Sequence, residues 1–175
     1  MGTINVDNIK NAAGGTTGIT IDGAGNVFTP ARPAFRAYNN AAGAWTTVTH
    51  AEHQIVSYNA EKYDIGSNYN TSTYRFTCPV DGRYRVSFFT NVSVDGLTGD
   101  AFNIQTHKNG GTVHLHYDQK DVSSWQYMAF SDLIDCSAND YLQIYLKAGN
   151  GSSEGTIGID GSNAQWNSTF YELVA

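Results

Sequence analysis

The sequence is poor in charge, proline, cysteine and long apolar runs, and each shortage removes a class of protein. Charged residues make up 15 % of the 175-residue chain, well under the quarter usual in globular domains. Lysines and arginines number 10 against 16 aspartates and glutamates, a formal net charge of −6, and no basic run occurs. Such a chain lacks the positive face that nucleic acid demands, so its aromatic residues read poorly as base-stacking platforms. No apolar stretch nears the roughly 20 residues of a membrane-spanning helix. Met1 to Lys10 is polar with no apolar segment behind it, so synthesis and assembly in a cytoplasm is the expectation. The four N-x-S/T sequons, at Asn70, Asn91, Asn150 and Asn167, then read as chance in a chain rich in Asn, Ser and Thr. The two cysteines, Cys78 and Cys136, have no C-x-x-C spacing and read as reduced thiols, with Cys78 a small hydrophobe on the apolar phase of its strand. Helix-building blocks of Glu, Lys, Leu and Ala are missing.

What is present points to strands. Hydrophobic residues reach 41 % and aromatics 13 %, with 18 glycines and 11 tyrosines, enough for a substantial core with a turn-rich periphery. Alternation predicts strands near Ala34–Tyr38, Gln54–Tyr58, Ser72–Val80, Gly82–Val94, Asp100–Lys108, Thr112–Tyr117, Ser124–Ile134, Tyr141–Ala148 and Gln165–Val174. Turn residues separate them: Asp81-Gly82, Asp95-Gly96, Asn109-Gly110-Gly111, Ala138-Asn139-Asp140 and Gly149-Asn150-Gly151. Short strands at such spacing, with no helix between them, mean a sandwich or barrel. In the 74–88 stretch, Phe76 and Cys78 share a face with Tyr74 and Val80, and Tyr84, Val86 and Phe88 share one opposite Arg83, Arg85 and Ser87. Pro79 cannot donate to a ladder, so it ends its strand, and Asp81-Gly82 reverses or redirects the chain.

Two strands break the rule of one apolar and one solvated face. Leu142, Ile144 and Leu146 form a core face, yet Tyr141, Gln143 and Tyr145 opposite them are aromatic and uncharged. Trp125, Tyr127, Ala129 and Leu133 likewise lie opposite Met128, Phe130 and Ile134. Antiparallel sheets usually solvate the second face, and an aromatic surface there marks a contact. We therefore expect a homo-oligomer joined through sheet faces, with Trp125, Tyr127, Tyr141, Tyr145 and Tyr171 in the interface. The alternative is that some of these aromatics lie under loops of their own chain.

The first 32 residues differ from the rest and are expected to form an extended docking arm before a head spanning residues 33–175. Two β-like pieces, Ile4–Ile9 and Gly18–Ile21, sit among small and turn-forming residues. So few large apolar side chains cannot offset the ordering of thirty residues at roughly 1–2 kcal/mol each. The retained strand period nevertheless suggests docking on a larger surface through Ile4, Val6, Ile9, Ile19 and Ile21.

Pro33-Ala-Phe-Arg-Ala37, Tyr63-Asp-Ile-Gly-Ser-Asn-Tyr-Asn70, Tyr74-Arg-Phe-Thr-Cys-Pro-Val-Asp-Gly-Arg-Tyr-Arg-Val-Ser-Phe88 and Ser168-Thr-Phe-Tyr-Glu-Leu173 resemble segments of complement C-one-q-like globular heads. The 74–88 segment is the most specific of the four. The resemblance covers about residues 33 to 174. It implies a ten-stranded jelly-roll sandwich, all-β, of the kind shared with tumour necrosis factor, assembling as a compact homotrimer. Thr73-Tyr74 and Glu172 stand where small residues or glycine are usual, which bears on loop detail. The leader, I-N-V-D-N-I-K-N…G-I-T-I-D-G-A-G-N-V, is similar to the start of small virion proteins of tailed bacteriophages, particularly phages of marine cyanobacteria. That likeness implies a virion structural protein assembled in the host cytoplasm: a capsid decoration or cement protein, or a short fibre or knob, contacting other virion proteins through its arm.

No catalytic fingerprint occurs: no G-x-S-x-G elbow, P-loop, H-E-x-x-H or dinucleotide-binding glycines. His114 and His116 share a strand face and His107 lies across the Asn109-Gly-Gly turn, a set that could hold a metal; a hydrogen-bonded edge hairpin is the favoured reading. The acidic stretches Asp95–Asp100 and Asp118–Asp121 lack EF-hand spacing. We expect no enzyme, no cofactor and no metal. The second functional expectation is recognition of host-surface glycan or protein, with Tyr117, Trp125 and Trp166 as contacts.

Overall fold

A computed structural model of the chain describes residues 6–10, 17–40, 53–95, 101–119, 126–148, 156–159 and 167–175. The first strands are β1 (Asn8–Lys10), β2 (Thr17–Ile21), β3 (Val27–Phe28), β4 (Ala34–Tyr38) and β5 (His53–Ile55). Then come β6 (Ala60–Ile65), β7 (Tyr69–Asn70), β8 (Arg75–Thr77), β9 (Gly82–Asp95) and β10 (Ala101–Lys108). The last are β11 (Gly111–Gln119), β12 (Gln126–Cys136), β13 (Tyr141–Ala148), β14 (Thr156–Ile159) and β15 (Asn167–Leu173). No helix occurs among the described residues.

The described strands form three sheets. One, here the β9 sheet, runs β12-β9-β15-β4-β6 with β14 added to β9; the other, the β13 sheet, runs β11-β10-β13-β8-β7 with β5 added to β13. Successive strands change sheets from β8 to β9, β9 to β10, β11 to β12, β12 to β13 and β13 to β14, which winds the chain into a jelly roll. The described strands make two sheets of six where ten in all are expected. The additions are short: β7 has two residues, β5 three and β14 four. β6, β7 and β14 are not anticipated from the pattern, because Ala-Glu-Lys-Tyr-Asp-Ile alternates poorly and the other two are too short to show a period.

Between the sheets sits an aromatic stack. Phe35 lies 4.6 Å from Tyr69, 4.8 Å from Phe76 and 4.6 Å from Tyr171, with interplanar angles of 15°, 13° and 13°. Phe35 and Tyr171 come from the β9 sheet; Tyr69 and Phe76 come from the β13 sheet. The Tyr69 hydroxyl donates to the Tyr58 carbonyl at 2.8 Å, so its one polar atom is satisfied within the core. Tyr84, Val86, Ile104, Leu142 and Leu146 are fully buried around the stack, on the faces the alternation assigns them. Tyr74 and Val80 leave the core phase: Tyr74 adopts a φ of 55° and Val80 is exposed.

Turn chemistry fixes the connections. Asn109 and Gly110, with φ of 53° and 81°, make the two-residue link between β10 and β11, the geometry such hairpins require. Asp140 then ties this link to the next turn, its Oδ1 accepting from Asn109 Nδ2 at 2.6 Å and its Oδ2 from the Ser137 amide at 2.8 Å. Gly82 opens β9 where the C-terminus passes. A Cβ there would lie 2.5 Å from Leu173 Cδ1 and 2.7 Å from the Ala175 carbonyl oxygen, so glycine is needed for that approach. Asn91 and Asn167 are buried, which closes both sequons to a glycan in the folded chain.

The leader forms a separate antiparallel sheet, β1-β2-β3, none of whose strands pairs with the sandwich. Ile9 faces Ile19 and Val27 faces Ile21 across the ladders, so these four side chains share a face. The β2–β3 turn is set by Asp22, whose Oδ1 accepts the amides of Ala24 and Asn26, each at 2.9 Å. The hydrogen bonds from Asn26 chiefly hold that carboxyl below its ordinary range. Arg32 joins leader to head by donating to the Leu173 and Val174 carbonyls.

Removing the ring at the centre of the stack should be costly. Phe35→Ala is expected to lower unfolding stability by about 3–5 kcal/mol, and Tyr69→Phe by about 1 kcal/mol through loss of one hydrogen bond, both read from urea unfolding midpoints. Equal, small losses for the two would show that the stack does not organise the core.

Candidate interaction face

Alternation along the β9 sheet sends every second side chain away from the core, and the sequence makes that outer face unlike an ordinary wet one. Phe88-Phe89 and Phe170-Tyr171 are aromatic doublets. In a strand a doublet puts one ring on each side, so Phe89 and Phe170 face outward while Phe88 and Tyr171 are buried. Arg36 and Tyr63 join them from β4 and β6, where they are cross-strand partners. Arg36, Tyr63, Ser87, Phe88, Phe89, Ser168 and Phe170 line an open cavity of about 380 Å³.

The cavity mixes rings with a small polar set. Arg36 Nη2 donates to Ser168 Oγ at 3.3 Å, leaving a half-buried guanidinium with a neutral partner. Ser87 Oγ donates to Ser131 Oγ at 2.8 Å, across from the cavity. Phe89 is followed on β12 by Tyr127, with ring centroids 6.2 Å apart. Tyr127 is 63 % exposed and Tyr63 42 %. At one end of the face the charges pair off: Arg83 with Asp135 and Arg85 with Glu172, each at 2.8 Å. The Asp135 hydrogen bond raises the Arg83 pKa and depresses that of Asp135. These exposed pairs contribute little stability. An aromatic centre with a charged rim is the composition of a protein–protein contact.

The five expected interface residues do not share this face. Tyr127 lies on it. Tyr141 and Tyr145 lie on the outer face of the opposite sheet, half-buried against their own chain. The Arg75 guanidinium sits 3.7 Å from the Tyr141 ring centroid, and the His107 ring stacks on Tyr145 at 4.0 Å and 19°. Tyr171 is a correction: it is 1 % exposed, held in its own core by stacking on Phe35 and Phe76, and cannot meet a partner. Its alternation partner Phe170 takes the outward position instead. Trp125 lies outside the described residues, as do Ile4 of the leader, Trp166 and the 96–100 loop. Val6 and Ile9 are exposed, and Ile19 and Ile21 half-buried.

The histidines part company. His107 is buried on the outer side of the β13 sheet, where Gln105 Oε1 meets its Nε2 at 2.7 Å and Thr112 Oγ1 lies 3.1 Å from the same nitrogen. His114 instead meets Asp132 of β12 at 2.5 Å, bridging the open edge between the sheets. A bulge between Thr106 and His107 shifts the phase and separates the two rings. No group of three or more His, Cys, Asp or Glu suited to a metal occurs among the described residues.

Comparison with known proteins settles the lineage. The C1q domain matches residues 36–170. The chain belongs to the C1q family. Its fold is similar to the globular domain of zebrafish complement 1qA protein, at 16 % identity and a TM-score of 0.58, over 82 % of this chain and 98 % of that one. It is similar to Eiger TNF from S. frugiperda at 12 % identity and a TM-score of 0.58, over 82 % and 94 %. It also resembles murine APRIL at 7 % identity and a TM-score of 0.55, over 82 % and 99 %. No curated protein matches the sequence. The described residues within 36–170 thus take the C1q-type jelly roll, and the aromatic face is a feature of this chain's β9 sheet.

Burial, and then the neighbouring His53, hold the His107 pKa below its ordinary value, against a Gly110 backbone contact that works the other way. A histidine that resists protonation when folded binds the proton more readily when unfolded. Stability is therefore expected to fall as pH drops below about 6.5 toward the depressed folded value. His107→Gln should flatten that dependence, read as the difference between urea midpoints at acidic and neutral pH; an unchanged slope would contradict it.

Proposed function

We propose that this C1q-family chain is a non-enzymatic structural protein of a tailed-bacteriophage virion, a homotrimer whose head associates through the outer face of the β9 sheet and whose leader grips a capsid or tail protein. The observation that carries the trimer is the open cavity between Arg36, Tyr63, Phe89 and Phe170, with Tyr127 beside it. Aromatic surface around a cavity on a sheet face is surface that association would remove from water. A three-fold ring needs a heterologous contact in which one surface meets a different one. The cavity supplies the concave half. At the edge of the other sheet, Val113 and Leu115 are exposed on β11 and supply an apolar counterpart.

The virion reading draws on the leader. Its likeness to phage leaders is joined by a physical feature: Ile9, Ile19, Ile21 and Val27 share one face of a three-stranded sheet, and so small a sheet is marginal alone in water. A surface on a larger assembly would stabilise it. Three leaders carried by one trimer would bind together far more tightly than one, since the second and third contacts become intramolecular.

Two measurements test this. Phe170→Glu places a charge at the cavity and is expected to turn a trimer into a folded monomer in sedimentation velocity; an unchanged mass would overturn the face assignment. Cryo-electron microscopy of purified particles should place the head on capsid or tail with the leader against its neighbour. Absence from particles, together with retention on host-surface glycans, would replace the structural role with a recognition one.

A further inference from the structure

The fold brings the two cysteines of this chain together at one end of the core. Cys78 follows β8 in the β13 sheet, and Cys136 ends β12 in the β9 sheet, opposite Gly82. The turn immediately after Cys136 is bonded to the backbone of Cys78. Cys78 N donates to the Asp140 carbonyl at 2.7 Å, and Asn139 N donates to the Cys78 carbonyl at 2.8 Å. A second clamp ties the same turn to the start of β9, where Ala138 N donates to Asp81 Oδ1 at 2.6 Å. Both thiols are free; Cys78 has no exposure and Cys136 has 6 %. Both side chains belong to the same buried core cluster, at the end where the turn after Cys136 is bonded to Cys78. A hydrogen bond between the two thiols, with burial, drives the Cys78 thiol up, and the same bond draws the Cys136 thiol down against the effect of burial.

Neither thiol serves the aromatic face or the leader. Two apolar residues would fill this space as well, and they would not couple to each other chemically. We infer that Cys78 and Cys136 form a reversible disulfide that staples the β13 sheet to the β9 sheet, closed by a disulfide oxidant such as oxidised glutathione and opened by a thiol reductant. Cys136, the more accessible of the two, attacks one sulfur of the oxidant as its thiolate and releases one glutathione thiolate. Cys78 loses its proton, attacks the Cys136 sulfur and releases the second. Two protons and two electrons leave the protein, and one oxidised glutathione becomes two reduced molecules. The staple closes a loop of roughly 60 residues, long enough to restrict the unfolded chain substantially. It depends on the head's fold alone, so it stands or falls separately from the trimer and from the virion reading.

The test equilibrates the full-length protein in glutathione buffers of graded redox ratio, once folded and once in concentrated urea, then traps free thiols and weighs the products. The folded chain is expected to hold an intramolecular disulfide, two mass units lighter, at glutathione ratios more reducing by about tenfold or more than the urea-unfolded chain tolerates. The melting temperature should rise on oxidation, and Cys136→Ser should abolish both effects. Two trappable thiols in the folded chain at every ratio, or no difference between folded and unfolded chains, would overturn the proposal. A product joined only between chains would overturn it as well.

Discussion

Four rings from two sheets decide the architecture. Phe35 and Tyr171 stand on one sheet and Tyr69 and Phe76 on the other, nearly parallel and under 5.5 Å apart where they stack. Rings bury more area per side chain than aliphatic residues, and a stacked pair adds on the order of 1 kcal/mol beyond that burial. Their larger consequence is registration. Once Phe35 and Tyr171 point inward, period two forces Arg36 and Phe170 outward, and the composition of the outer face follows from the composition of the core.

That coupling explains why some of the molecule is readable from its residues and some is not. The segments that carry the family resemblance, Pro33–Ala37, Tyr63–Asn70, Tyr74–Phe88 and Ser168–Leu173, hold all four stack rings and Gly82, so recognising them is close to recognising the core. The all-β sandwich or barrel, the core positions of β9 and β13 and the Asn109-Gly110 hairpin are local patterns and were legible for that reason, while the jelly roll came with the family resemblance. The candidate face was only partly legible. Tyr127 stands out because its strand is apolar on both sides, whereas Phe89 and Phe170 hide inside doublets whose phase is ambiguous without a partner strand. Tyr171 was misassigned on that same ambiguity. Tyr141 and Tyr145 showed their outward phase, but not that Arg75 and His107, distant in sequence, cover them. Arg36 and Tyr63 meet across a ladder to a strand that gave little signal.

The two outer faces now differ in character. On the β13 sheet the polar side chains of Asn103, Gln105, His107 and Thr112 satisfy one another in a continuous chain of hydrogen bonds, and the tyrosines are occupied. On the β9 sheet the rings surround an open cavity together with the Arg36 guanidinium, and the paired charges lie at one end. Polar side chains engaged with one another offer less to a partner than an unfilled aromatic cavity, which gains by being covered, even though His107 Nδ1 is left without a hydrogen bond. The leader repeats the contrast on a smaller scale, with Asp22 holding its turn and its isoleucines left on one face.

The most direct test of the account asks whether that face is covered in solution. Tyrosine footprinting of the wild-type chain reports on Tyr63 and Tyr127, which the single chain leaves 42 % and 63 % exposed. The account predicts that both are protected at micromolar concentration and become reactive when dilution or Phe170→Glu dissociates the protein. Full labelling of both tyrosines in an associated particle would place the contact elsewhere and contradict it.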